Sequence, residues 1–178
     1  MALWGDLLTV AAEAGRVCIG LVFLLAAVQK ARAWRLLPGV IANYRLLPGW
    51  AVLPAAALLP PLELLLAISL LSAQLRSWPE LMAIALLMLF AAAIAINIAW
   101  GRVYIDCGCG QAFLAQHLSR LLVARNLVLA ALLLPSLVPS APVPMPALLS
   151  AVAAGLGFFL LYLLFNLLDA LPRARRFA

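Results

Sequence analysis

Charge is scarce in this sequence. Only 10% of its 178 residues are Asp, Glu, Lys or Arg, six side chains are acidic, and there is one histidine. A water-soluble domain devotes about 25% of its residues to charge in order to cover its surface. With 68% hydrophobic residues and a mean hydropathy of +1.17 this chain cannot do so. A soluble enzyme is excluded, and so is a disordered tail, which needs polar sequence. Cysteine is scarce as well: Cys18, Cys107 and Cys109 are too few for a disulfide-stapled module. The surface that charge does not cover is left to lipid.

The charge that is present is mostly positive, with a net of +6 and a pI near 10.1. A nucleic-acid binder would need a basic face on a soluble fold. Here the basic residues stand mostly between apolar runs, where they orient a membrane protein, so no nucleic-acid partner is expected.

A helix crosses about 30 Å of hydrocarbon with about 20 apolar residues. Five stretches meet that length: Leu7–Val28, Ala51–Ser72, Pro79–Ala99, Leu118–Val138 and Ala147–Leu168. Prolines mark the connections, and Asp6, Glu13 and Arg16 argue against reading the first span as a cleaved signal. The expected architecture is all-α: one integral membrane domain over residues 1–178, a four-helix core plus a fifth, C-terminal transmembrane helix.

One set of connections and ends holds Lys30, Arg32, Arg35, Arg45, Arg102, Arg120, Arg125, Arg173, Arg175 and Arg176, against Arg76 alone on the other side. The positive-inside rule then places the N-terminus outside and the C-terminus in the cytoplasm of a bacterial inner membrane.

Chemistry concentrates between spans three and four, at Asp106-Cys107-Gly108-Cys109-Gly110. Two thiols flanking a glycine at a membrane boundary can form a reversible disulfide or hold a soft metal ion. The disulfide requires Cα atoms about 4.4–6.8 Å apart, so the chain must bend at the middle residue, which Gly108 permits most cheaply. A strained small ring suits exchange better than stapling. Arg102, Arg120, Arg125 and His117 lie close in sequence and favour a thiolate, while Asp106 works against it. Two bland readings stand beside this one: a tight turn of small residues at the pair, and an inert packing residue at Cys18. Otherwise Cys18 is a resolving thiol.

These features resemble the MauE family of methylamine-utilisation membrane proteins, within the wider DoxX-like group. The matching stretches are Arg16-Val17-Cys18-Ile19-Gly20 leading to Gln29-Lys30, Asn43-Tyr44-Arg45-Leu46-Leu47-Pro48, Pro60-Pro61-Leu62-Glu63, Asn97 before Gly101-Arg102, and Asp106-Cys107-Gly108-Cys109. The family's Cys-Gly-Cys is followed by an aromatic residue and a glycine. Here Gly110 and Gln111 follow, with Phe113 after them. The resemblance implies a role in maturing the small, disulfide-rich (beta) subunit of an exported quinoprotein amine dehydrogenase. It also implies a thioredoxin-like periplasmic partner of the MauD type.

Polar groups inside spans each want a reason, because a central charge costs roughly 2.5–3.5 kcal/mol on insertion scales. Glu13 and Arg16 share a helix face, and Arg16 can pair with Glu13 or with Glu63. Pro60-Pro61 is expected to kink the helix that carries Glu63. Asn97, Asn126 and Asn166 fall on the same side of the membrane as Gln29-Lys30 and the thiol pair, which points to a polar vestibule there. No cofactor is required. A quinone is a candidate near Trp100 and Tyr104, residues that more often anchor helices at the interface.

The charge count puts the thiols in the cytoplasm, whereas the implied client folds in the periplasm. Either electrons pass outward from a cytoplasmic donor to the thioredoxin-like partner, or the pair faces the periplasm and drains electrons to quinone. A soft-metal carrier using Cys107 and Cys109 and a non-redox assembly scaffold are the alternatives from other classes.

Overall fold

The computed structural model describes residues 2–72, 78–105, 118–138 and 145–174, the side chains of 2–6 and 170–174 excepted. Its regular elements are α1 (Ala2–Arg32), α2 (Leu37–Asn43), α3 (Gly49–Ser72), α4 (Trp78–Ala99), α5 (Arg120–Leu132) with a 3₁₀ turn at Leu134–Leu137, and α6 (Met145–Ala174). Leu and Ala dominate these segments and are strong helix formers. In hydrocarbon a helix also satisfies every backbone N–H and C=O within its own segment. Five helices are long and apolar enough to cross a membrane: Leu7–Arg32, Gly49–Ser72, Trp78–Ala99, Arg120–Leu137 and Met145–Asp169. The protein is an all-α membrane bundle, as its composition requires.

The helix α1 is the hub. Half of its span is buried, against 11% for α6, which packs on α1 from outside the other helices. Lipid tails are as apolar as leucine, so close packing holds such helices together in place of hydrophobic exclusion. Small residues on α1 make the approach close. A Cβ at Gly15 would sit 2.3 Å from the Leu132 carbonyl oxygen at the end of α5, and one at Gly155 of α6 would sit 2.7 Å from Val17 Cβ. The main core joins Cys18, Ile19 and Phe23 of α1 to Leu66 and Leu70 of α3, Leu86 and Leu87 of α4, and Leu129 and Leu133 at the end of α5.

Several boundaries differ from the sequence expectation. The first helix does not stop at Val28 but runs to Arg32, taking in Lys30. The helix α3 contains Pro54, Pro60 and Pro61 and continues past them to Ser72. The fourth span begins at Arg120 and tightens into the 3₁₀ turn around Pro135, whose missing N–H cannot continue the α pattern. The first connection also contains a helix that periodicity did not reveal. In α2, Pro38 occupies the first turn, where an absent N–H does no harm, and the element packs on α3.

Candidate functional site

The thiol-bearing connection follows α4 in the chain. That helix ends in a Schellman cap, in which Gly101 (φ +71°) donates its N–H to the Ile98 carbonyl and Arg102 donates to the Asn97 carbonyl at 2.9 Å. The left-handed turn at Gly101 redirects the chain, and Arg102 stacks on Trp100 with its guanidinium carbon 4.8 Å from the ring centroid. The chain then reaches Ile105, which packs against a small buried cluster of Ile94, Leu118 and Leu122, together with Tyr44, Ile98 and Val123. Leu118 is the first described residue on the return. Both feet of the connection that carries Cys107, Gly108 and Cys109 are therefore held in one cluster. These three residues and His117 lie outside the described residues.

Around the end of α4 and the start of α5, buried polar atoms lack partners among the described residues. Asn97 is fully buried and donates its Nδ2 to the Ala93 carbonyl, while its Oδ1 has no partner among the described residues. Arg102 Nη1 and Ser119 Oγ, the latter at the start of α5, are in the same condition. An unmade hydrogen bond at a buried group costs about 1–3 kcal/mol. An acceptor, a donor and a hydroxyl are left this way at the end of α4 and the start of α5.

The charges within the spans are paired, though not as the sequence alone indicated. Arg16 bridges two carboxylates, Glu13 at 2.9 Å on its own helix and Glu80 at 2.7 Å in the first turn of α4. Glu63 takes no part in this. It is fully buried in α3 and receives Lys30 Nζ from α1 at 2.7 and 2.9 Å on its two oxygens. The alternative Arg16–Glu63 pairing is thus not adopted, and Lys30 is a buried partner instead of a loop charge. Glu80 had no assigned role. The signal for it was arithmetic: an arginine that deep requires more countercharge than one neighbouring Glu13. Lys30 was misplaced because it stands two residues beyond the last long apolar run.

Arg125 is likewise inside a helix. It donates to Asn166 Oδ1 across α5 and α6 and lies over the Tyr162 ring at 5.5 Å. Cys18 is 1% exposed, at the centre of the main core, and shares the wall of a cavity of about 390 Å³ with Arg125 and Tyr162. The three asparagines expected to form a vestibule are not joined by hydrogen bonds to one another among the described residues. Asn97 and Asn126 donate to carbonyls four residues back in their own helices, and Asn166 binds Arg125 and the Tyr162 carbonyl. Trp100 covers Arg102, Tyr104 is exposed, and neither borders the Cys18 cavity.

Comparison with known proteins gives a consistent result. Residues 8–139 match the family model described as methylamine utilisation protein MauE. The chain is 41% identical over 164 residues to the methylamine utilization protein MauE of Paracoccus denitrificans, covering 90% of this chain and 88% of that one. It is 42% identical over 151 residues to the protein of that name from Methylorubrum extorquens (83% and 81% covered), and 39% identical over 160 residues to that of Paracoccus versutus (88% and 86%). No solved structure matches.

Proposed function

From a chain that belongs to the MauE family of methylamine utilisation proteins, and that carries two thiols at one end of its membrane bundle, we propose a thiol–disulfide exchange protein. Its task is to support disulfide formation or isomerisation in the small subunit of a periplasmic methylamine dehydrogenase. Cys107 and Cys109 carry the exchange, Gly108 permits the turn between them, and a thioredoxin-like protein on the periplasmic side is the exchange partner. The observation that supports this most is the anchoring of both feet of the thiol connection, Ile105 and Leu118, in one buried cluster. A loop tethered at both ends presents two sulfurs with less conformational freedom to lose on reaction. Arg102 and the unpartnered Asn97 and Ser119 atoms supply hydrogen bonds to the loop or to the partner's main chain.

The bacterial inner membrane is the proposed location. Lys30 and Arg125 are buried in helices and drop out of the orienting count. Eight basic residues remain against Arg76, which still favours an outside N-terminus and a cytoplasmic C-terminus. The burial of Cys18 in the main core suits a packing residue, so the exchange is assigned to the loop pair.

The test is a trap. With Cys109→Ser, the remaining loop thiol is expected to accumulate as a mixed disulfide with the thioredoxin-like protein, visible on a non-reducing gel and lost on reduction. Full dehydrogenase maturation by a Cys107→Ser/Cys109→Ser chain would replace exchange with a scaffold role.

A further inference from the structure

We infer that a second cavity, a half-open pocket bordered by the end of α1, α2, the first half of α3 and the second half of α4, binds the ring of a quinone. Its volume is about 230 Å³, and its wall includes Lys30, Leu37, Tyr44, Leu59, Phe90 and Ala93. That is smaller than the roughly 300–1,000 Å³ of drug-sized sites, and it suits one substituted ring with the start of a tail.

The lining selects the chemistry. It is almost wholly hydrocarbon, which disfavours phosphates, sugars and peptide groups that would lose their water without replacement. Among the described residues, the one charged group on the wall is Lys30, 8% exposed. An ammonium carries three N–H donors, and the two contacts made among the described residues both go to the Glu63 carboxylate. A donor is left on the side of the Phe90 ring, whose centroid is 5.6 Å from Nζ. Because Glu63 cancels the lysine's charge, the site offers a hydrogen bond without net attraction for an anion. A neutral ring carbonyl fits that description and a fatty-acid carboxylate does not. Phe90 adds an aromatic face, against which a planar ring packs well.

Position gives the cavity its use. Tyr44 lies on its wall and also packs in the cluster that holds Ile105, two residues before Cys107. The inference therefore rests on the exchange reading proposed above and names its membrane partner. As the S–S bond forms, the dithiol gives up two electrons and two protons. The quinone takes them at its two carbonyl oxygens and becomes a hydroquinone, and the reverse step returns them.

The experiment is a titration of the full chain in detergent with a decyl-tailed benzoquinone, followed by equilibrium dialysis. Saturable binding is expected. Filling the cavity from either wall, with Ala93→Phe on α4 or Ala55→Phe on α3, is expected to weaken it at least about tenfold, with helix content unchanged by circular dichroism. Lys30→Met combined with Glu63→Leu, which removes the donor without stranding a charge, is expected to weaken it about tenfold, the worth of one hydrogen bond. Absence of saturable binding, undiminished binding by both filled variants, or equal displacement by decanol would overturn the inference. The dialysis reads binding and not electron transfer, so a failure of the exchange reading leaves its result unmoved.

Discussion

Two buried ion clusters stand toward opposite ends of this bundle, and they are built differently. The first ties α1 to α4 with one cation between two carboxylates, Glu13–Arg16–Glu80, and leaves Glu80 Oε2 without a partner among the described residues. It lies beside the tightest packing, where Gly15 meets the end of α5 and Gly155 brings α6 onto α1. The second ties α1 to α3 through Lys30 and Glu63, and has an apolar cavity on its flank. It lies at the end where α4 is capped and the thiol connection departs. The second pair thus holds α1 to α3 while leaving room for a ligand on the side where the chemistry is proposed.

That contrast can be broken from the clamped end first. Arg16→Met strands two carboxylates in hydrocarbon, whereas Lys30→Met strands one. Removing one partner of a buried pair costs about 3–5 kcal/mol. Thermal unfolding in detergent is therefore expected to show the largest loss for Arg16→Met, and a smaller loss, within that range, for Lys30→Met. Adding Glu63→Leu to Lys30→Met is expected to restore most of the stability, since a hydrophobic replacement of a whole pair is often neutral. A double variant as unstable as Lys30→Met would mean that Lys30 matters for something besides Glu63. Next in size is Gly15→Ala. The added methyl would meet the Leu132 carbonyl at 2.3 Å, so an overpacking loss of about 1–3 kcal/mol is expected in the same assay. The corresponding change at Gly157, where nothing lies within 4 Å, should be nearly silent.

Smaller than the loss at Gly15 is the one expected at the working end. Gly101→Ala forces a Cβ into the left-handed region, at a cost of about 1–2 kcal/mol. Its distinguishing outcome is functional. The cap at Gly101 aims the chain toward Ile105, so dehydrogenase maturation is expected to fall further than the change in melting temperature accounts for. Equal maturation by the variant and the unaltered chain would show that the cap does not position the loop.

Much of this architecture was legible because a bilayer imposes few solutions. Runs of Leu and Ala long enough to span, separated by proline and arginine, predict five helices, and those five are present. The ends were less legible. Lys30 looks like a loop residue because it follows the apolar run, yet α1 continues past it once Glu63 offers a carboxylate. Pairing is a property of two helices at once, and spacing along one helix finds Glu13 for Arg16 but cannot find Glu80. The helix α2 escaped notice because seven residues are too few to show a period, and it is held by packing on α3. The Cys-Gly-Cys motif is the reverse case: conspicuous in sequence, and located in the fold only through its anchors Ile105 and Leu118.

The most direct measurement is the oxidation state of Cys107 and Cys109 in cells producing active methylamine dehydrogenase, fixed by acid quenching, alkylation and mass spectrometry. A reversible link between the two sulfurs is expected, present in part of the population, with its proportion shifting when the proposed thioredoxin-like partner is deleted. Two sulfurs found always as free thiols, with no shift on that deletion and no loss of active enzyme when both are replaced by serine, would contradict it.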